Sequence, residues 1–312
     1  MTTTHPAPAP DAVPGAAAPA GAEAASSVGP AFAGTPAQPA AAVVGMRAAE
    51  GGGRVAVVTG AARGIGAEVA RGLSRAGWRL LLVDSCADDS AVDYRLAAPA
   101  ELEALVEECG PNALGHVADV RDQDGLTAAV ARATERFGGL DAAVAVAGVI
   151  GGGRPAWETG DALWEAMLGV NLAGVWRLAR AAVPAMLQRP APRQGRFVAV
   201  ASAGAVVGLP LLSAYVAAKH GVIGLIRSLA AELGPEGITA NVVAPGSTRT
   251  AALTASAALY GLASPEEFSV HHLEPRLLEP EEVAAAVVWL CGASASGVTG
   301  AVLPVDAGMT AR

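Results

Sequence analysis

The chain has 312 residues, with 21 basic and 29 acidic side chains and a formal net charge of −8. That length suits one large α/β domain or two ordinary ones. Acidity with scattered arginines gives no electrostatic footprint for nucleic acid, and 52% apolar residues exclude wholesale disorder.

The first 50 residues hold 18 Ala, 8 Pro and 5 Gly without apolar periodicity. Residues 1–52 therefore read as a disordered Ala/Pro-rich tail, and 53–312 as the folded domain. No Lys or Arg precedes Arg47, which argues against a secretion signal or transit peptide and for a cytoplasmic protein. Met46 is an alternative start.

Beyond Arg54, apolar strands alternate with helical patterns. Val55 to Thr59 reads as a strand, Glu68 to Ala76 as a helix and Leu80 to Asp84 as a second strand. Glu101 to Cys109 is helical, Gly115 to Val120 a strand, Gln123 to Phe137 a helix and Ala142 to Ala147 a strand. Asp161 to Leu187 reads as one long amphipathic helix. Strand Arg196 to Ala201, helix Ser213 to Leu233 and strand Thr239 to Val243 follow. Helix Pro280 to Cys291 and strand Val302 to Val305 close the pattern. Such alternation predicts an α/β fold, a Rossmann-like doubly wound parallel sheet of about seven strands in a single domain. Ligands of such sheets sit beyond the carboxyl ends of the strands.

Two composition features need care. Phe197 to Ala218 is uncharged over 22 residues, but Gly204, Gly208 and Pro210 interrupt it. A buried strand, a loop and a helix start fit it better than a membrane span. Cys86, Cys109 and Cys291 are an odd number with no CxxC spacing. Free thiols in a reducing compartment are expected, and no metal site.

The first strand runs into Thr59-Gly60-Ala61-Ala62-Arg63-Gly64-Ile65-Gly66 and then a helix. Glycines there let the backbone approach a pyrophosphate, and the helix N-terminus offers unpaired N–H groups. A plain Gly-rich turn is the alternative. Asp84 ends the second strand, 18 residues past Gly66. Its carboxylate suits the ribose hydroxyls of NAD and repels the 2′-phosphate of NADP. Arg63 pulls the other way, since a guanidinium can hold a phosphate.

Tyr215 and Lys219 stand four residues apart, on one helix face. A cation within ~4–6 Å lowers a phenol pKa by about 1–3 units, so this Tyr could serve as acid/base for an alcohol/carbonyl pair. Lys219 is the only lysine in the chain; the other 20 bases are Arg. A planar guanidinium is a poor substitute for its compact ammonium. Ser202, 13 residues before Tyr215, could donate to the substrate oxygen. Asn171 sits mid-helix, where Asn is mildly unfavourable.

Together these residues resemble the classical short-chain dehydrogenase/reductase family. The matches are Thr59 to Gly66, Asp84, Asp119-Val120, Asn171, Ser202, Tyr215, Lys219 and Pro245-Gly246, over roughly Val55 to Met309. The resemblance implies Tyr215 as acid/base, Ser202 orienting the substrate and Lys219 lowering the Tyr pKa and binding ribose. It implies Asn171 supporting a proton-relay water. Gly60, Arg63, Gly64, Ile65, Gly66 and Asp84 would hold the dinucleotide. Asp119 and Val120 would lie near adenine, with Ala147 and Gly148 lining the cofactor. Pro245, Gly246, Thr248 and Thr250 would lie near the nicotinamide. A homotetramer built through the long helices is also implied. One departure is Ala145-Val146-Ala147-Gly148, where the family often has Asn-Asn-Ala-Gly, whose Asn side chains tie strands together.

Asp84 and Asp119 are 35 residues apart, where a helix and short turns need about 25–30. The excess, Ser85 to Ala98, either folds over the adenine end of the cofactor or is a solvated acidic loop. With Gly152 to Thr159 and Leu259 to Leu262, it resembles members of the family linked to the redox peptide mycofactocin. That subgroup keeps NAD bound and passes electrons to mycofactocin.

Thr250 to Leu278 falls where the family covers its substrate. Leu253, Leu259, Tyr260, Leu262 and Phe268, with Trp157, would make an apolar pocket for a hydrophobic alcohol or ketone. His271 and His272 read as polar surface residues. The expected activity is NAD-dependent interconversion of a secondary alcohol and its ketone. The alternatives are a ketoreductase with exchangeable NADPH and a non-catalytic NAD-binding scaffold.

Overall fold

The computed structural model describes residues 53–311. The predicted tail at 1–52 lies outside them. In chain order the elements are β1 (Val55–Thr59), α1 (Gly64–Arg75), β2 (Arg79–Asp84), α2 (Pro99–Cys109), β3 (Ala113–Val117), α3 (Gln123–Phe137) and β4 (Ala142–Ala145). They continue as α4 (Asp161–Leu168), α5 (Gly174–Leu187), β5 (Gly195–Val200), α6 (Ser213–Leu233), β6 (Ile238–Pro245), α7 (Ala251–Leu259), α8 (Pro280–Cys291) and β7 (Val302–Val305).

All seven strands run parallel in one sheet, in the order β3-β2-β1-β4-β5-β6-β7. From β1 the chain runs outward through β2 and β3, then crosses back to β4 on the other side of β1, so the switch point lies between β1 and β4. Crevices at such points bind ligands.

Helices cover both faces. Val55 and Val57 of β1 point into one apolar layer with Leu126 of α3, Leu178 of α5 and Ile226 of α6. Ala56 and Val58 point into the other, with Val69 of α1, Leu102 of α2 and Val287 of α8. Every residue of β1 is buried, which explains why the strand is apolar throughout rather than alternating.

Local signals set the helix ends. Asp122 accepts from the Asp124 N–H at the start of α3, and left-handed Gly138 ends it. Pro280 opens α8, where Glu282 reaches back to the Glu279 N–H at 2.8 Å. No helix among the described residues is long and apolar enough to cross a membrane. The uncharged run from Phe197 resolves into β5, a loop and the start of α6.

The predicted helix over Asp161 to Leu187 is corrected. It is broken by a π-helical segment, Gly169–Ala173, between α4 and α5. One extra residue in the turn rotates Asn171 into the interior, where it is fully buried. Helix α7 fell in a region read only as substrate cover.

Candidate active site

β1, β4, β5 and β6 end on one rim of the sheet, and a cavity of about 1230 Å³ opens above it. All the sequence-predicted cofactor and catalytic positions line this cavity, from Gly60 at one end to Thr250 at the other. A hydrophobic small-molecule site is typically ~300–1,000 Å³, so this one has room for a dinucleotide and a substrate together.

The turn after β1 is built for close approach. Gly60 and Gly64 adopt the left-handed backbone region, at φ +66° and +56°. A Cβ on Gly66 would collide with the Gly60 carbonyl, so α1 begins directly against the turn. No side chain caps its first turn, which leaves N–H groups for an anion. Asp84 Oδ2 accepts from the Ala62 N–H at 3.0 Å, and Oδ1 from the Cys86 N–H at 3.3 Å. The carboxylate is thereby fixed beside the turn.

Asn171 supplies a brace. Its Oδ1 accepts from the Val149 N–H at 3.2 Å, and its Nδ2 donates to the Val149 and Met167 carbonyls at 3.0 Å each. Asn171 thereby ties the backbone after β4 to the end of α4. Removing the amide would break all three bonds, at about 1–3 kcal/mol for each buried group left unsatisfied. Gly148 completes the fit: a Cβ there would stand 2.9 Å from Asn171 Oδ1 and 3.4 Å from Lys219 Nζ.

Ser202 follows β5, and Tyr215 and Lys219 lie on α6. Ser202 Oγ accepts from the Gly204 N–H at 3.0 Å, and the hydroxyl also hydrogen-bonds the Tyr215 phenol. Tyr215 is partly exposed to the cavity, with its phenol desolvated by its surroundings. Lys219 is 3% exposed; its Nζ donates to the Val200 carbonyl at 3.0 Å and lies 5.7 Å from the Tyr215 ring centroid.

The expected depression of the Tyr215 pKa by Lys219 is not what this geometry delivers. Burial pushes the phenol above its ordinary value, and the Ser202 hydrogen bond only partly offsets it. Burial also pushes the Lys219 amine down, to about 8. The pair thus holds a protonated phenol beside an amine that is still charged at neutral pH.

The segment Ser85 to Ala98 is not a loose acidic loop. Arg63 Nη2 donates to the Arg95 carbonyl at 2.6 Å. Arg121 clasps Asp119 and Asp89 together, at 2.6 and 2.8 Å. The Ile150 N–H donates to the Tyr94 hydroxyl at 3.2 Å. These anchors lie on the N-terminus of α1, after β3 and after β4, so the segment straps one side of the cavity. Sequence reasoning placed Tyr94 in this insertion without a role; nothing local signals its contact with Ile150, 56 residues away.

The substrate side follows the expectation in part. Leu253, Tyr260, Leu262, Phe268 and His271 line the main cavity. Leu259 lines a smaller neighbouring one of about 230 Å³. Trp157, expected in the pocket, is 84% exposed and lines neither, because its short helical turn points it outward. His272, expected at the surface, is 2% exposed. No cluster of metal-ligating side chains occurs among the described residues.

The family model described as enoyl-(acyl carrier protein) reductase matches residues 60–310. A (−)-trans-carveol dehydrogenase of Rhodococcus erythropolis is 37% identical over 83% of this chain and 98% of its own length. An uncharacterized NAD-dependent oxidoreductase of Mycobacterium tuberculosis is 39% identical over 82% of this chain and 95% of its own. The crystal structure of carveol dehydrogenase from Mycobacterium avium in complex with NAD is similar at a TM-score of 0.79 and 33% identity. That likeness covers 84% of this chain and 99% of the other. The chain is an oxidoreductase acting on CH–OH donors and belongs to the classical short-chain dehydrogenase/reductase family.

Proposed function

We propose that the protein interconverts a hydrophobic secondary alcohol and its ketone, using NAD held as a resident cofactor and passing the electrons to mycofactocin. The observation that carries this reading is the strap, anchored at three separate elements around the cavity. A strap so tied opposes exchange of a bound dinucleotide. The substrate class is supported by the apolar lining from Leu253 to Phe268 and by the carveol dehydrogenases among the relatives.

The residues present fit NAD. The uncapped α1 N-terminus suits the pyrophosphate, and Asp84, with Asp119 beside it, suits the adenosine ribose and adenine. The fixed Asp84 carboxylate disfavours a 2′-phosphate, and Arg63, engaged with the strap, does not counter it. When bound, NAD supplies the hydride acceptor for the carbinol carbon. The chain's own residues handle the proton. Ser202 donates to the substrate oxygen and orients it. As the phenolate, Tyr215 takes the hydroxyl proton during oxidation; as the phenol, it gives that proton to the carbonyl oxygen during reduction. Lys219, whose amine is charged at neutral pH, stabilises the phenolate in the oxidation direction. A homotetramer through the long helices belongs to the same reading, and the exposed indoles of Trp164 and Trp176 on α4 and α5 give these faces apolar surface to bury.

Equilibrium dialysis tests the resident cofactor. The wild type is expected to keep its nucleotide for hours. Arg121→Ala removes the clasp on Asp89 and should speed release by about tenfold, the equivalent of roughly 1.4 kcal/mol. Loss of NAD from the wild type within minutes would refute the strap.

A further inference from the structure

The pair His271-His272 divides in the fold. His271 faces the cavity, whereas His272 is buried with both ring nitrogens engaged. The Ser247 N–H donates to Nε2 at 3.1 Å, and Nδ1 lies 2.6 Å from the Arg276 carbonyl. A backbone N–H can only donate and a carbonyl can only accept. The two contacts are met together by the tautomer with the hydrogen on Nδ1.

Ser247 belongs to the loop that follows β6 and lines the cavity. The segment 272–278 holds this residue by both backbone groups, since the Leu278 N–H donates to the Ser247 carbonyl at 3.0 Å. The Arg249 N–H returns a bond to the Leu278 carbonyl at 2.9 Å, and Thr248 and Leu278 form a β-bridge. On the other side the Gly246 N–H donates to the Val305 carbonyl at 2.9 Å, and a Cβ on Gly246 would stand 2.8 Å from Asp306 Cα. The loop is thus gripped between β7 and the His272 segment. Its far end is Thr250, whose hydroxyl caps α7. Any slack at Ser247 passes to Thr248 and Thr250.

We propose that His272 is a positioning residue for the cofactor: its Nε2 accepts the Ser247 N–H and so sets the loop from Gly246 to Thr250 against the nicotinamide end of NAD. The proposal rests on the reading of this loop as the nicotinamide wall. It predicts that the acceptor at Nε2, rather than the volume of the ring, carries the effect.

His272→Phe keeps the bulk and removes the acceptor. His272→Gln can present an amide oxygen near the Nε2 position. NAD affinity is measured by calorimetry on the full chain freed of nucleotide, with unfolding followed alongside. The Phe variant is expected to bind NAD about tenfold more weakly, the scale of one lost buried hydrogen bond. The Gln variant should return to within about threefold of the wild type even if its thermal stability falls as far. Wild-type affinity in the Phe variant, or equal loss in both, would overturn the assignment. If the Phe variant does not fold, the Gln variant decides: affinity within threefold supports the role, and a tenfold loss overturns it. Absence of NAD binding in the wild type would instead overturn the cofactor site itself, and His272's role with it.

Discussion

Tyr215→Phe is expected to lower turnover of a secondary alcohol by about 10²–10⁴-fold, the range of general acid–base catalysis, with NAD affinity within about threefold of the wild type. The substitution removes one oxygen from a ring that packs against the core. The phenol hydrogen-bonds Ser202, whose Oγ keeps the Gly204 N–H in the Phe variant. The fold and the dinucleotide cradle should therefore persist while the proton acceptor is gone. Kinetics with an alcohol panel, beside nucleotide titration, separate the two effects. Wild-type turnover in the Phe variant would refute the assigned acid/base, and lost NAD binding would make the phenol a cofactor ligand instead.

Lys219 carries the second large effect. Its Nζ sits against the Val200 carbonyl, beneath a glycine whose Cβ would approach it at 3.4 Å. A guanidinium is wider, has a fixed fork and is charged at every accessible pH. Lys219→Arg is therefore expected to lose about 10²-fold or more in turnover. Wild-type turnover in it would make the single lysine incidental.

The same burial has a consequence for stability. The folded chain holds this amine near 8, against 10.5 for a free side chain. Between these values the unfolded chain binds the extra proton, so the Lys219 contribution to stability rises with pH across that window. The depression corresponds to about 3 kcal/mol. Relative to Lys219→Met, the wild type should gain about that much between pH 7 and pH 11 in chemical denaturation. The difference between the two proteins is the useful quantity, because burial raises Cys291 to about 12 and acts in the opposite sense over alkaline pH. A difference independent of pH would contradict the buried amine.

Much of this was legible in the sequence, for identifiable reasons. Continuous apolar runs gave the strands because parallel strands are buried on both faces. Helices α3, α6 and α8 matched their predicted bounds, α3 and α8 with strong end signals. The π-helical segment was not legible: Gly169 to Ala173 keeps helical periodicity, and only a long-range tie between Asn171 and Val149 reveals the extra residue. Type and spacing singled out residues that line one cavity, but not their electrostatics. Spacing put a cation four residues from a phenol, whereas burial, a property of the whole fold, sets both pKa values. Tyr94 had no legible role and His272 was placed at the surface because Ile150 and Ser247, which they bond, are 56 and 25 residues distant.

The central claim is that one strapped site oxidises an alcohol with a nucleotide that does not leave. Purified protein, dialysed and given a secondary alcohol without added NAD, should form ketone and reduced nicotinamide once per site and then stop. An artificial electron acceptor should restart it. Activity that requires added NAD, with no single-turnover burst from the dialysed protein, would contradict the account.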